Sequence, residues 1–182
     1  MALRELRGTE HAFYFEHAKN IPQCFNSVSL SALLDKDFDW THGWFIEEDV
    51  VVPDGALSAL LALDADLAAI DYPLKVGKSL SHREADNRVC WMSLGCTLVK
   101  RRVFDVLPVP YFRSDRKLVA IYDGSAAKGW RFELRQRERP DDYGNQDVYF
   151  SGQALIHDLS MRIVPLMLCD HLDLNDEALL GD

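Results

Sequence analysis

The chain alternates short apolar runs with longer segments whose apolar residues recur at helical spacing. The spacing of three and four residues predicts helices over residues 21–34, 56–63, 100–107 and 147–159. Short apolar runs bounded by polar or turn residues predict strands over residues 11–15, 44–46, 67–70, 89–94, 118–121 and 162–168. Strands and helices therefore follow one another along most of the chain.

Individual residues mark the ends of several of these elements. Pro22 suits the first turn of the first helix, and Asp54 is a candidate N-cap for the second. Pro165 cannot donate to a strand ladder, so its strand is expected at a sheet edge. Residues 71–84 are polar and predict a loop, and residues 140–144 carry a strong turn signal.

The alternation predicts an α/β fold with a mixed, mostly parallel sheet flanked by helices. Residues 1–182 fit one domain, with an acidic tail from about residue 173. Open α/β sheets bind ligands at the carboxyl ends of their strands. That rule directs attention to the residues that directly follow the strand ending at Ile46.

Composition narrows the classes of partner. The net charge is −9, from 29 acidic and 20 basic residues, which disfavours nucleic acid because phosphate contacts need Lys or Arg. We expect no membrane span and no secretory signal, because no apolar run is long enough. The four cysteines lie in apolar runs without CxxC spacing, which indicates buried thiols, a reducing compartment and hence the cytoplasm.

Three consecutive acids, Glu47, Glu48 and Asp49, follow an apolar strand and precede another apolar run. Alternation along an extended segment points Glu47 and Asp49 to one side and Glu48 to the other. Two carboxylates on one side of a strand end suit Mg²⁺ or Mn²⁺. On spacing alone, a solvated acidic turn explains the same residues.

The surroundings of these acids resemble a known family. Residues 39–50 (DWTHGWFIEEDV) are similar to the DxD segment of glycosyltransferases with the GT-A fold, of the family 2 type found in bacteria and phages. Further similar segments follow in the family's order, namely residues 66–75 (DLAAIDYPLK), 92–101 (MSLGCTLVKR), 146–150 (QDVYF) and 162–172 (RIVPLMLCDHL). The resemblance covers most of residues 21–172.

The resemblance implies a metal-dependent transfer of a sugar from a nucleotide-sugar donor to a hydroxyl group of a glycan or other acceptor. Asp49 would be the main protein ligand of Mn²⁺ or Mg²⁺, assisted by Glu47, with His171 as a further ligand. Asp147 matches the general base that removes the proton of the acceptor hydroxyl. A helix N-terminal acid that complements the helix dipole is an equally simple interpretation of Asp147.

Four more residues border the donor site by the same resemblance: Asn26, Tyr72, Lys75 and Gly95. The absence of a side chain at Gly95 would let the sugar approach the backbone. A plain turn at Gly95 and a solvated loop at Tyr72 and Lys75 are the alternatives.

The chain also departs from the family pattern. Phe25 stands where the family helix carries Arg, and Gln146 replaces a Glu. Only about 20 residues precede the first helix, and no strand-loop-helix unit for the base and ribose fits there. The nucleotide half-site is therefore expected to be missing, supplied by a partner chain or rebuilt in an unusual way.

These departures favour the main alternative, a degenerate, non-catalytic GT-A-like module for binding or assembly. A different metal-dependent enzyme, such as a phosphohydrolase, is a third hypothesis, although no P-loop, HExxH or GxSxG motif supports it. A homo-oligomer is also compatible with a shortened sheet, because such a sheet exposes an apolar edge.

Overall fold

A computed structural model describes residues 6, 9–16, 20–72, 82–83, 89–122, 130–139 and 145–172. Its helices are α1 (Ile21–Leu34), α2 (Ala56–Ala62), α3 (Arg101–Val106) and α4 (Gln146–Ile156). Its strands are β1 (His42–Ile46), β2 (Val50–Val51), β3 (Leu67–Asp71), β4 (His82–Arg83), β5 (Val89–Trp91), β6 (Cys96–Lys100), β7 (Arg116–Tyr122), β8 (Trp130–Gln136), β9 (Met161–Leu168) and β10 (Asp170–His171).

A four-stranded sheet with the order β1-β6-β3-β9 forms the centre. Strand β6 runs antiparallel to both of its neighbours, and β3 runs parallel to β9. Strands β1, β3 and β9 therefore point the same way. The α/β class and the mixed sheet are confirmed. The prediction of a mostly parallel sheet is wrong, because β6 lies between β1 and β3 and only the pair β3–β9 is parallel in this sheet.

Each face of this sheet carries its own apolar cluster, because side chains alternate along a strand. Leu67 and Ala69 contribute to the first cluster, which includes Phe25 of α1, Phe104 of α3 and Phe150 of α4. The neighbouring residues of β3, Ala68 and Ile70, contribute to the second cluster with Leu57 and Leu60 of α2. The sheet is thus covered by helices on both faces.

Several predicted elements are confirmed. Helix α1 has the predicted bounds, with Pro22 in its first turn and the Asn20 side chain accepting the Gln23 amide at 3.4 Å. Strand β9 lies at the edge of the sheet, as Pro165 predicts. The remaining predicted helices also form, each shortened by one or more residues.

Two local predictions are wrong. Residues 11–16 form neither helix nor strand, and Phe13 and Phe15 are exposed rather than packed in a sheet. Asp54 does not cap α2. Gly55 occupies that position in the left-handed conformation, and no side-chain hydrogen bond caps the helix.

The sequence pattern missed the central strand β6 and the hairpin strand β8. Strand β6 is buried almost throughout, so its residues show no alternation of polar and apolar side chains. Strand β8 pairs with β7 over seven residues, but its sequence is rich in charged residues, a composition that is typical of loops.

Some predictions fall outside the described residues. They include most of the 71–84 loop, the turn over 140–144 and the acidic tail from 173. Among the helices that are described, none combines the length and apolarity that crossing a bilayer requires.

Candidate functional site

Residues from several strands meet at one edge of the central sheet. Because β1, β3 and β9 point the same way, their carboxyl ends lie at this edge, and β6 begins there. Glu47 directly follows β1, Tyr72 directly follows β3, and Gly95 directly precedes β6. The topology therefore brings together three residues that are far apart in sequence.

The acidic segment forms a tight turn rather than a continued strand. The Val50 amide donates to the Glu47 carbonyl at 3.2 Å, and the Glu47 amide donates to the Gly95 carbonyl at 3.0 Å. Glu48 is exposed, whereas Glu47 and Asp49 are half-buried. Glu48 therefore differs in exposure from the other two acids, and a turn rather than an extended segment holds all three.

Gly95 packs so closely that a side chain would not fit. A Cβ atom there would lie 2.8 Å from Cε1 of Tyr72, 2.9 Å from Cγ2 of Val50 and 3.2 Å from Oε2 of Glu47. Steric contact with these three side chains, rather than backbone conformation, thus requires glycine at this position.

Tyr72 connects the strand ends through its hydroxyl group. The residue is 3% exposed, and its hydroxyl donates a long hydrogen bond of 3.5 Å to Oε2 of Glu47. Burial raises the pKa of Tyr72 well above its usual value, and the charges of Glu47, Asp147 and Asp49 add to this increase. The phenol therefore stays protonated and is a hydrogen-bond donor at the acidic turn.

Ser93, which is not among the residues predicted for the site, supports the same arrangement. Its hydroxyl accepts the Gly95 amide at 3.1 Å and also hydrogen-bonds Tyr72, which moderates the rise in the Tyr72 pKa. Ser93 is buried. A serine two residues before a glycine is a recognisable turn signal.

Asp147 lies in the first turn of α4 and is buried, with 6% of its surface exposed. Burial and, to a smaller extent, the nearby charge of Glu47 raise the pKa of Asp147 to about 8, against the opposing hydrogen bonds from Asn145 and the Leu94 backbone. Its Oδ1 atom has no hydrogen-bond partner among the described residues. A buried acid with a free oxygen and a pKa near neutral is suited to proton transfer.

Asn145 holds α4 and Asp147 together. Its Oδ1 atom accepts the Val148 amide at 3.1 Å, which caps the helix, and its Nδ2 group donates to Oδ2 of Asp147 at 3.5 Å. Asn145 is not among the residues predicted for the site, although asparagine just before a helix is a strong N-cap signal.

Strand β10 lies next to the acidic turn. In strand β10, His171 pairs with Val50 of β2, and the Leu172 amide donates to the Asp49 carbonyl at 2.7 Å. The backbone of His171 therefore lies next to the acidic turn. Its side chain is outside the described residues, and its role as a metal ligand stays a prediction.

Asn26, which is predicted to border the donor site, forms hydrogen bonds with the backbone of two other residues. Its Nδ2 group donates to the carbonyls of Pro22 and Phe112 at 2.7 and 2.8 Å, and its Oδ1 atom accepts the Phe112 amide at 3.1 Å. Asn26 thus fastens α1 to the segment around Phe112. Its donor contact stays a prediction, and Lys75 lies outside the described residues.

Phe25 belongs to the aromatic core. Its ring centroid lies 5.4 Å from that of Phe45 and 5.1 Å from that of Phe112. The position at which the resembled family carries Arg is therefore used for packing in this chain.

The described residues contain no group of three or more His, Cys, Asp or Glu side chains placed to hold a metal ion. The acidic turn supplies two half-buried carboxylates, from Glu47 and Asp49. Mg²⁺ is often bound by one or two carboxylates, with water and phosphate oxygens completing its shell. Two carboxylates are too few for a site made of protein ligands alone, and metal binding at the acidic turn stays a prediction.

Comparison with known proteins shows similarity at the level of the fold. No protein-family model matches the chain, and no curated protein matches its sequence. Among solved structures, the chain is similar to A197 from STIV, a viral protein, with a TM-score of 0.54 and 18% sequence identity. The similar region covers 86% of this chain and 70% of that one, and at this identity the likeness concerns the fold alone.

Proposed function

We propose that this chain is a metal-dependent glycosyltransferase of the GT-A type, which transfers a sugar from a nucleotide-sugar donor to a hydroxyl acceptor. The observation that carries the proposal is the position of Asp147, a buried carboxylic acid near the Glu47 charge at the edge where the strands end. Residues with strongly shifted pKa values in such a position are typical of active sites.

In this proposal Asp147 is the general base. Its ionised carboxylate takes the proton of the acceptor hydroxyl, while the acceptor oxygen forms a bond to the anomeric carbon. The bond from that carbon to the diphosphate oxygen breaks, and its electron pair stays on the diphosphate. A pKa of about 8 makes Asp147 a stronger base than an exposed aspartate.

The acidic turn binds the other end of the donor. Glu47 and Asp49 would hold Mn²⁺ or Mg²⁺, and the ion would stabilise the negative charge of the departing diphosphate. The Tyr72 hydroxyl orients Glu47 through their hydrogen bond. The tight packing of Gly95 against Glu47 and Val50 restricts the position of the turn.

A thermal screen with nucleoside diphosphates and Mn²⁺ tests this proposal. A bound nucleotide at about 100 times its Kd adds about 2.7 kcal/mol of stability, which corresponds to an increase in Tm of about 5 °C or more. Asp49→Asn should remove this increase, because it removes the main carboxylate of the metal site.

Glu48→Gln is the matched control, since it changes the exposed neighbouring acid and should keep the full increase in Tm. The proposal is wrong if no nucleoside diphosphate raises the Tm of the unchanged chain in the presence of Mn²⁺.

The second candidate function is a non-catalytic module of the same fold. Two residues at positions that the resembled family uses at the donor site favour it, because both have structural contacts here. Phe25 packs in the aromatic core, and Asn26 forms three hydrogen bonds with the backbone. An increase in Tm with a nucleotide, combined with no consumption of any nucleotide-sugar in the presence of acceptors, would favour this module over the enzyme.

A further inference from the structure

The hairpin formed by β7 and β8 is basic, although the chain as a whole is acidic. Residues 116–136 contain five basic and two acidic residues, a net charge of +3, so the rest of the chain carries −12. The overall charge of −9 disfavours phosphate binding only where the charges are evenly distributed, because such contacts depend on the local potential. Here the positive charge is concentrated on one element.

One face of this hairpin covers α4, and the other points away from it. Leu118 and Leu134, which pair across the two strands, pack against Gly152 of α4. Among the helices and strands that the structure describes, the hairpin packs chiefly on α4. Side chains alternate along a strand, so the residues on either side of Leu118 and Leu134 point to the outer face. That face consists of three cross-strand pairs, namely Lys117 with Arg135, Val119 with Glu133, and Ile121 with Arg131.

Two arginines of the outer face are held in place by an acid between them. Arg131 donates one N–H to Oε1 of Glu133, and Arg135 donates two to Oε2. A guanidinium group has five N–H donors, so most of these donors remain for a partner. The Arg131 and Arg135 side chains are 57% and 53% exposed. Glu133 therefore orients two accessible guanidinium groups, whose planar geometry suits phosphate.

The hairpin also projects from the rest of the described chain. Ala120 and Tyr122 lie on the same face as Leu118, yet both are exposed. This half of the hairpin therefore extends beyond the surface of α4. A two-stranded β-ribbon fits the major groove of B-DNA, which is about 12 Å wide. The shape of the hairpin thus matches a grooved polyanion better than a flat anionic surface.

We propose that the β7–β8 hairpin binds double-stranded DNA, with Lys117, Arg131 and Arg135 contacting phosphate groups. Contacts of this kind position a protein on the duplex without reading its sequence. The inference goes beyond the proposed sugar transfer and does not depend on it, because the hairpin shares no residue with the acidic turn.

Fluorescence anisotropy of the whole chain with a labelled DNA duplex two helical turns long, in a buffer containing EDTA, tests the inference. At 50 mM salt we expect saturable binding with a Kd on the order of 10 μM. Three phosphate contacts predict a slope of about −2.7 for log K against log salt concentration, so 200 mM salt should weaken binding about 40-fold. The absence of saturable binding at 50 mM salt would overturn the inference.

The double variant Arg131→Gln with Arg135→Gln connects binding to the hairpin. It removes two of the three phosphate contacts, so the salt slope should change to about −0.9 and the affinity at 50 mM salt should fall at least tenfold. The Tm should remain nearly unchanged, because exposed ion pairs contribute little to stability.

The double variant Lys36→Gln with Arg162→Gln is the matched control. It removes the same charge from two exposed residues outside the hairpin, so it should keep the affinity within about twofold and the full salt slope. An equal loss of affinity in both double variants would show that the overall charge determines binding, and would overturn the assignment to the hairpin.

Competition separates duplex DNA from other polyanions. Unlabelled duplex should displace the labelled one, whereas polyglutamate at the same concentration of charge should not, because it offers no groove. Equal competition by polyglutamate, or tighter binding of the single strand than of the duplex, would refute the assignment to a duplex. Asp49→Asn should leave DNA binding unchanged while it removes the effect of nucleoside diphosphates with Mn²⁺, so the two proposals fail or succeed separately.

Discussion

Asp147 shows how burial changes the chemistry of one carboxyl group. Its helix position alone is compatible with a simple dipole partner, since acids are common in a first turn. Enclosure at the edge of the sheet and the charge of Glu47 raise its pKa to about 8. Ionised Asp147 therefore destabilises the folded chain, and its carboxylate is a stronger base than that of an exposed aspartate. This combination is common in active sites.

This pKa predicts a particular dependence of stability on pH. The unfolded chain loses the Asp147 proton near pH 4, whereas the folded chain keeps it up to about pH 8. The stability contributed by the protonated form is thus complete below pH 4 and falls as the pH rises from 4 to about 8. Asn cannot ionise, so Asp147→Asn should not lose stability in this range. At pH 9 the free energy of unfolding of the variant should exceed that of the unchanged chain by about 2 kcal/mol or more.

Urea unfolding of both proteins between pH 4 and 9, with EDTA present, measures this difference. The two free energies of unfolding should approach each other at the acidic end of the range. A constant difference at every pH would contradict the raised pKa.

At the scale of elements, the N-cap of α4 links helix stability to the chemistry of the site. Asn145→Ala removes the cap, which should cost about 1 kcal/mol, a typical value for such a loss. It also removes a hydrogen bond that lowers the pKa of Asp147, so that pKa should rise. Unfolding experiments measure the first effect, and carboxyl NMR titration measures the second.

Asn20→Ala is the control for this prediction, because Asn20 caps α1. It should cost stability while leaving the pKa of Asp147 unchanged. Equal effects of the two variants on that pKa would show that Asn145 acts only as a helix cap.

Element prediction succeeded where local chemistry determines the outcome. Helix α1 has a proline in its first turn, a capping asparagine and a clear apolar stripe, and its bounds are as predicted. Strand β6 was missed because burial on both faces removes the alternation that marks a strand. The aromatic run at 11–15 has strand composition, but a strand needs a partner, and none pairs with it in the described part of the chain.

At the scale of the whole molecule, Asp66 joins three elements. The residue directly precedes β3 and is 2% exposed. Its Oδ1 atom accepts from Arg102 of α3 at 2.6 Å, and its Oδ2 atom accepts the amide and hydroxyl of Ser160, just before β9, both at 2.9 Å. Burial acts to raise the pKa of Asp66, but the bonds from Ser160 and Arg102 outweigh it, and the net pKa is lowered.

Asp66→Asn should therefore destabilise the chain by about 2 kcal/mol at pH 7, because a charged acceptor makes stronger hydrogen bonds. A lowered pKa contributes stability above pH 4 that is lost as the pH falls through the pKa of the folded chain. The difference between variant and unchanged chain should accordingly shrink in acid. Thermal unfolding at pH 7 and pH 3 measures it.

Asp64→Asn is the comparison, since Asp64 forms an exposed ion pair with Lys100. Exposed pairs contribute little, so this variant should have nearly the Tm of the unchanged chain. A similar loss from both variants would mean that the position of Asp66 between the three elements has no special importance.

Local sequence pattern was enough to predict the α/β class, helix α1, the edge position of β9 and the acidic residues that follow β1. These features depend on neighbouring residues, through proline geometry, side-chain capping and the change from apolar to acidic residues at a strand end. The identity of Asp147 as a candidate also came from sequence, through its resemblance to a family motif.

Which of these residues lie next to one another depends on the packing of the whole chain. Strand β6 enters between β1 and β3, and Gly95 at its start packs against Tyr72, Val50 and Glu47, which come from distant parts of the chain. Burial and the neighbouring charge of Glu47 set the Asp147 pKa. Such properties depend on distance and solvent exclusion between segments far apart in sequence, which no local pattern encodes.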